Sequence, residues 1–272
     1  MKAIVITPVC ALMEQPTKQC PLADEALYGM VVDILDTPAP GWYHIRTHYR
    51  YEGFCSADDL LVDEEAVARW EALPKKVVYR KNFCDVLNRP HVEGWHLINL
   101  VRGSVVSPVG EAEDGWQKVT LADGREGYVQ AALLDEYYTQ PYSTDEDELR
   151  RRLVKTAYLY FDTHYRWGGK SPMGIDCSGL TSMVYMLNGI LIYRDAQIKE
   201  GFPIHEIPFE EMKPGDLIYL KGHIAMYIGN HEYIHSTGRA GDDGVVVNSL
   251  FVKDRNFRED IPPKIIKIGS FF

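Results

Sequence analysis

One series of short strands is written twice in the first half of this chain, and that repetition limits the folds open to it. In the first copy, Gly29-Met30-Val31-Val32-Asp33-Ile34-Leu35-Asp36 runs into a Pro/Gly turn. Gly41-Trp42-Tyr43-His44-Ile45-Arg46-Thr47 then alternates apolar and polar side chains, as a half-buried strand does. Tyr51-Glu52-Gly53-Phe54-Cys55 and a closing Ala57-Asp58-Asp59-Leu60-Leu61 complete the copy. About seventy residues later the order returns: Gly103 to Val109, Gly115-Trp116-Gln117-Lys118-Val119-Thr120, Arg125-Glu126-Gly127-Tyr128-Val129, and Ala131-Ala132-Leu133-Leu134. A doubled series of this kind specifies two small β-domains. Between them, Ala66, Val67, Trp70 and Leu73 recur at helical spacing until Pro74 stops them.

The doubled order resembles bacterial SH3-like (SH3b) domains, whose signature is the Gly-Trp strand followed by a Gly-aromatic-Val strand. The expected organisation is two small all-β SH3-like barrels over residues 1–62 and 76–136, with a helical connector over 63–75. Residues 137–148, rich in Tyr, Thr, Pro, Ser and acidic side chains, read as a linker, and a further domain fills 149–272.

That last stretch changes character. Leu149, Leu153, Ala157, Tyr160 and Phe161 have helical spacing behind an acidic start, where the helix dipole favours negative charge. A second helix follows, with Leu180, Val184 and Leu187 on one face and Asn188-Gly189 at its end. From Pro214-Gly215-Asp216 onward the signals are all strand, separated by Gly/Asn/Asp turns. Helices followed by a meandering antiparallel sheet define an α+β domain.

Charge and cysteine usage exclude several functions. A net charge of −10 supplies no phosphate-neutralising surface, so no nucleic-acid partner is expected. Arg150-Arg151-Arg152, behind Asp145-Glu146-Asp147-Glu148, reads as a solvated helix face. No run of 18 apolar residues offers a membrane-spanning segment. Cys10, Cys20, Cys55, Cys84 and Cys177 are odd in number and include no CxxC pair, which suits a reducing compartment better than a disulfide framework. The apolar start, broken by Pro8, reads as a strand rather than a signal peptide. A cytoplasmic setting is therefore expected, or a periplasmic or extracellular one if a leader has been removed. A monomer is expected.

The chemistry centres on Gly174-Ile175-Asp176-Cys177-Ser178-Gly179-Leu180, a tight turn that opens a helix with a cysteine at its start. Unpaired N–H groups and the positive dipole end favour a thiolate there, with pKa values of roughly 3.5–7.5 known for such sites. A cysteine nucleophile needs a base, and the base needs an orienting group. His223 opens one strand and His235 lies near the end of the next. Because side chains alternate, they share a face only if the connection has odd length or a bulge. His231-Glu232-Tyr233-Ile234-His235 also matches the H-E-x-x-H pattern of zinc peptidases, which works only on a helix. On a strand the two histidines would stand roughly 13 Å apart, too far to share a metal, so no metal and no other cofactor is expected.

Asp176-Cys177-Ser178-Gly179, Pro214-Gly215-Asp216-Leu217, the run from Gly222 to Gly229, and Tyr233-Ile234-His235-Ser236 stand in the order seen in the NlpC family. These are papain-like cysteine peptidases of bacterial cell-wall peptides. The resemblance covers residues 149–272 and implies Cys177 as nucleophile, His223 as base and His235 as orienting residue. It also implies a place for the Tyr165 hydroxyl near the oxyanion, with Trp167 beside it. With SH3b domains ahead of it, the chain is similar to the γ-D-glutamyl-L-diamino-acid endopeptidases. The substrate implied is a murein peptide with a free N-terminal L-Ala, in which the bond to meso-diaminopimelate or lysine is cut during turnover or recycling. In that branch Asp176 and Ser178 correspond to readers of the substrate amine, Glu14 and Tyr51 to a gate from the first SH3b domain, and Asp195 to a cleft-lining position. Asp176 is also a good helix cap in its own right. The chain departs from the family at Lys221-Gly222, a short connection that opens one side of the cleft. The alternative reading is a peptidoglycan-binding SH3b protein whose last domain is inactive or performs acyl transfer.

Overall fold

Each copy of the repeat closes into a seven-stranded antiparallel sheet, and a computed structural model describing residues 1–272 shows the same strand order in both. Numbered within each copy, that order is 3-2-6-5-4-1-7. The correspondence extends to register. Ile45 pairs with Gly53 in the first copy and Val119 with Gly127 in the second. The repeated glycine is a packing requirement: a Cβ on Gly53 would stand 3.0 Å from the Leu12 Cβ, and one on Gly127 would stand 2.5 Å from a Val86 methyl. The aromatic that follows, Phe54 or Tyr128, then points to the opposite face.

Helix α1, Glu64–Ala72, is more than the expected connector. The Asp63 side chain caps it by accepting from the Ala66 N–H. Val67 and Trp70 are buried in one apolar cluster with Ile4 and Tyr28 of the first copy and Val78, Val105 and Leu134 of the second. The Trp70 indole donates to the Gly29 carbonyl at 2.9 Å, and the Tyr28 hydroxyl accepts from the Ala122 N–H at 2.9 Å. The two copies thus share a core, and residues 1–137 form one compact unit. Each barrel alone would be small for its surface; sharing α1 increases the apolar area each one buries.

Residues 138–272 form the second unit. The stretch read as a linker is packed rather than loose. Tyr142 donates its N–H to the Asn188 carbonyl at 3.0 Å, and its ring lies under the Arg152 guanidinium. Helix α2, Glu146–Tyr158, starts inside it because Asp145 caps the Glu148 N–H. The reading of the arginine run as a solvated face fails at Arg150, which is buried. Its guanidinium reaches Asp216 at 2.9 Å and Glu146 at 2.8 Å. Asp216, from the Pro-Gly-Asp turn, also accepts from Ser270 Oγ at 2.6 Å, so this buried carboxylate ties α2 to two strands of the sheet. Arg152 bonds Asn188 and so faces inward as well.

Helix α3, Cys177–Met186, packs against α2 and is buried at every position from Cys177 to Tyr185. The sheet beside it has six antiparallel strands in the order His205–Ile207, Ile265–Ser270, Leu217–Leu220, His223–Gly229, Glu232–Thr237 and Gly244–Ser249. The unit is an α+β papain-like domain, preceded by two all-β SH3-like barrels. No helix is long and apolar enough to cross a membrane.

Candidate active site

The start of α3 is held by its own cap and by a close backbone crossing. Asp176 precedes the helix in extended conformation, and its carboxylate accepts from the Gly179 N–H at 2.6 Å and the Gly168 N–H at 2.8 Å. A Cβ on Gly179 would fall 2.1 Å from the Gly169 carbonyl oxygen, so the Cys-Ser-Gly order is needed for the helix to lie on the Gly168-Gly169 turn. Tyr165 bridges to Ile175, and the Ile175 carbonyl accepts from Ser236 Oγ at 2.6 Å. That bond ties the residue before Asp176 to the strand carrying His235.

Arg194 completes this arrangement, and the sequence reading passed over it. Its guanidinium reaches both oxygens of Asp176, at 3.0 and 3.1 Å, and also the Ser178 hydroxyl at 2.7 Å and the Gly168 carbonyl at 3.0 Å. With the weaker Ser178 contact at 3.3 Å, five hydrogen bonds converge on the Asp176 carboxylate. A carboxylate offers about four lone-pair sites, so Asp176 is filled from within the protein. Arg194 stands between Tyr193 and Asp195, the segment singled out for its acid; nothing in a lone Tyr-Arg-Asp triplet announces that the arginine turns inward.

The two histidines meet because of one extra residue. Leu220 pairs directly with His223 across the two-residue turn Lys221-Gly222. On the far side, Asn230 and His231, both at positive φ, make a two-residue turn that alone would throw His223 and His235 onto opposite faces. The register shifts between Tyr227 and Gly229, adding one residue to the first strand and restoring the parity. His223 Nε2 then lies 2.7 Å from His235 Nδ1. The next strand continues the diagonal: His235 Nε2 is 2.9 Å from Asn248 Oδ1. Asn248 had gone unnoticed, although a polar residue closing Val245-Val246-Val247 is a visible interruption. The same geometry disposes of the zinc pattern. His231 sits in the turn, stacked on Phe251, and His235 faces His223, so the pair shares no helical face.

The charges at the site differ from the expected ready-made thiolate. Burial pushes the Cys177 thiol up to about 11, with the Asp176 charge adding to it. The N–H groups of Ile224 and Ser178 and the Arg194 charge oppose this without overcoming it. The helix start therefore does act on the sulfur, but taking it out of water acts more strongly. Burial likewise pushes His223 down to about 3, assisted by the His235, Arg258 and Lys264 charges. It pushes His235 down to about 4 despite the Asn248 bond. Neither the thiolate nor the imidazolium is favoured by its own surroundings. Burial beside Cys177 and Asp176 raises the Tyr165 hydroxyl to about 12, so it stays protonated and able to donate.

These imidazoles have a consequence for stability. Unfolded, each takes up a proton below roughly pH 6.5; folded, neither does so until about 3 to 4. The unfolded chain thus binds more protons across that interval, and stability falls as pH drops from roughly 6.5 to 4. The melting temperature of the second unit is expected to fall over this range, and to fall less in a His223→Gln variant. Equal slopes in the two proteins would contradict the assignment.

The remaining expected site residues are placed as follows. Trp167 is 66% exposed beside the Gly168-Gly169 turn, and Asp195 is half-buried with its carboxylate on the Tyr193 hydroxyl. Glu14 and Tyr51 belong to the first unit. Glu14 is exposed just past the strand Val9–Met13, and Tyr51 is half-buried with its N–H on Thr47 Oγ1.

Comparisons with known proteins agree with this architecture. Residues 162–255, which contain Cys177, His223, His235 and Asn248, match the NlpC/P60 family. Residues 12–60 match the bacterial dipeptidyl-peptidase SH3 domain. The chain is 41% identical over its full length to the full length of dipeptidyl-peptidase 6 of Lysinibacillus sphaericus. It is 27% identical to the γ-D-glutamyl-L-lysine dipeptidyl-peptidase of Bacillus cereus, over 79% of this chain and 67% of that one. A crystal structure of an NlpC/P60 family protein from Bacillus cereus covers 100% of this chain with a TM-score of 0.82 at 20% identity, showing a shared fold. With a relative of such identity running end to end, and the family match spanning the cysteine and both histidines, the chain belongs to the NlpC/P60 family and is a cysteine peptidase.

Proposed function

We propose that this peptidase hydrolyses the bond between γ-D-glutamate and an L-diamino acid in murein peptides with a free N-terminal L-alanine, releasing L-Ala-γ-D-Glu. The observation that carries the reading is the linked pair His223–His235, reached by the same strand whose Ile224 N–H points at the Cys177 sulfur. His223 Nε2 is engaged by His235, which leaves Nδ1 to take the thiol proton. The sulfur then attacks the γ-carbonyl carbon, and the oxyanion is stabilised by the Cys177 N–H and the Tyr165 hydroxyl. Collapse breaks the C–N bond, the leaving amine takes the proton from His223, and water hydrolyses the thioester to free the glutamate carboxylate.

The substrate class is supported by the relatives, one named for dipeptide release and the other for the γ-D-glutamyl-L-lysine bond. The free alanine amine is assigned to Ser178, Asp195 and Trp167. Because Asp176 is filled by Arg194 and two backbone N–H groups, its share is to hold Ser178 in place. A need for a free amine suits peptides already released from sugar, hence recycling in the cytoplasm.

Defined peptides test this. L-Ala-γ-D-Glu-diamino acid is expected to be cut, while its N-acetylated and sugar-bearing counterparts fall by roughly 100-fold or more, because acylation removes the amine's charge and its charge-assisted hydrogen bonds. Equal cleavage of sugar-bearing peptides would defeat the free-amine requirement.

A further inference from the structure

His235 is held at both ring nitrogens, and the direction of those two hydrogen bonds has one solution. The amide nitrogen of Asn248 donates to the Asn256 carbonyl oxygen at 3.3 Å, an oxygen that also accepts the Ser249 N–H at 3.0 Å. An amide oxygen turned toward that carbonyl would set acceptor against acceptor, so Oδ1 is the atom presented to His235. Oδ1 accepts only; His235 Nε2, 2.9 Å away, therefore carries the proton. A neutral imidazole has one N–H, which leaves His235 Nδ1 as a lone pair. Across 2.7 Å it accepts from His223 Nε2–H, and the lone pair of His223 is left on Nδ1.

We propose that Asn248 is a positioning residue that fixes the tautomers of both His235 and His223, and so decides that the base of His223 is its Nδ1. This rests on Cys177 and His223 acting as described above. The placement is built into the sheet. His235 pairs with Val246, and Asn248 lies two residues on in the same strand, hence on the same face. Asn256 is itself anchored, its side chain donating to Glu232 at 3.1 Å, so the carbonyl that orients the Asn248 amide is not free to turn. Without an acceptor at Nε2, the His235 proton moves to Nδ1 and is donated to His223 Nε2. The His223 proton then sits on Nδ1, where the thiol proton must go, and the relay runs backwards.

The test is the nitrogen chemical shifts of the two imidazoles in histidine-labelled, substrate-free protein. In the wild type both are expected as Nε2–H tautomers. Asn248→Leu is expected to move both protons to Nδ1 and to lower kcat by roughly 10²–10⁴-fold, the contribution of a general base, with KM changed by less than about threefold. Asn248→Asp keeps an acceptor facing His235 but sets its second oxygen against the Asn256 carbonyl, so it is expected to hold both tautomers at a lower melting temperature. A wild-type spectrum with His235 protonated at Nδ1 overturns the proposal, and needs no variant to fold. So does an Asn248→Leu protein that keeps both Nε2–H tautomers. These shifts are read without turnover, so they answer separately from whether alkylating Cys177 stops hydrolysis.

Discussion

Cys177→Ala is expected to lower hydrolysis of L-Ala-γ-D-Glu-diamino acid by roughly 10⁴-fold or more while leaving the fold intact. The side chain lost is one buried sulfur at the first turn of α3. The hydrogen bonds that define that turn run through Asp176, Gly179 and Arg194 and do not use the sulfur. The stability cost is therefore about 1 kcal/mol, the cost of a cavity that size. Activity and folding should separate cleanly, with circular dichroism and melting close to wild type while product formation stops. Alkylation by iodoacetamide should do the same, and a chelator should do nothing, because the H-E-x-x-H residues lie on a turn and a strand. Undiminished cleavage by Cys177→Ala would refute the mechanism, and loss of activity to a chelator would return attention to His231 and His235.

What could be read from the sequence was what has a period or a fixed neighbour. The doubled strand order became two sheets of identical topology because a glycine at a strand crossing and a Gly-Trp strand start are local requirements, written into each copy. The face shared by His223 and His235 was reduced to a question of parity, and a single bulged residue answers it. Long-range charge pairing was not legible. Arg150 and Arg194 look in the sequence like surface arginines; only tertiary contact brings Asp216 and Asp176 to them and makes burial affordable in free energy. Asn248 was missed for the same reason, since its partners lie 13 residues before it and 8 residues after it. The sulfur's charge state was misjudged because the helix start is local, whereas the burial that outweighs it comes from the whole unit.

Arg194→Met is expected to destabilise the second unit by roughly 3–5 kcal/mol, the cost of leaving a buried carboxylate without its partner. Arg194 is 2% exposed and Asp176 8%, so water cannot take over the charge. The two N–H bonds from Gly168 and Gly179 remain, but neither donor carries a formal charge. The melting temperature of residues 138–272 should drop by roughly 10 °C or more. Asp176→Asn takes the carboxylate charge away from the Arg194 guanidinium and should be destabilising as well. The double variant should cost clearly less than the two singles added together, because the second change removes the charge the first had stranded. If the single costs simply add, the pair is not coupled, and the helix start is held by the Gly179–Gly169 crossing and the Asp176 cap alone. A non-additive result would instead make the Arg194–Asp176 pair the element that holds the start of α3. Arg194 would then also be the charge that opposes Asp176 beside the Cys177 thiol.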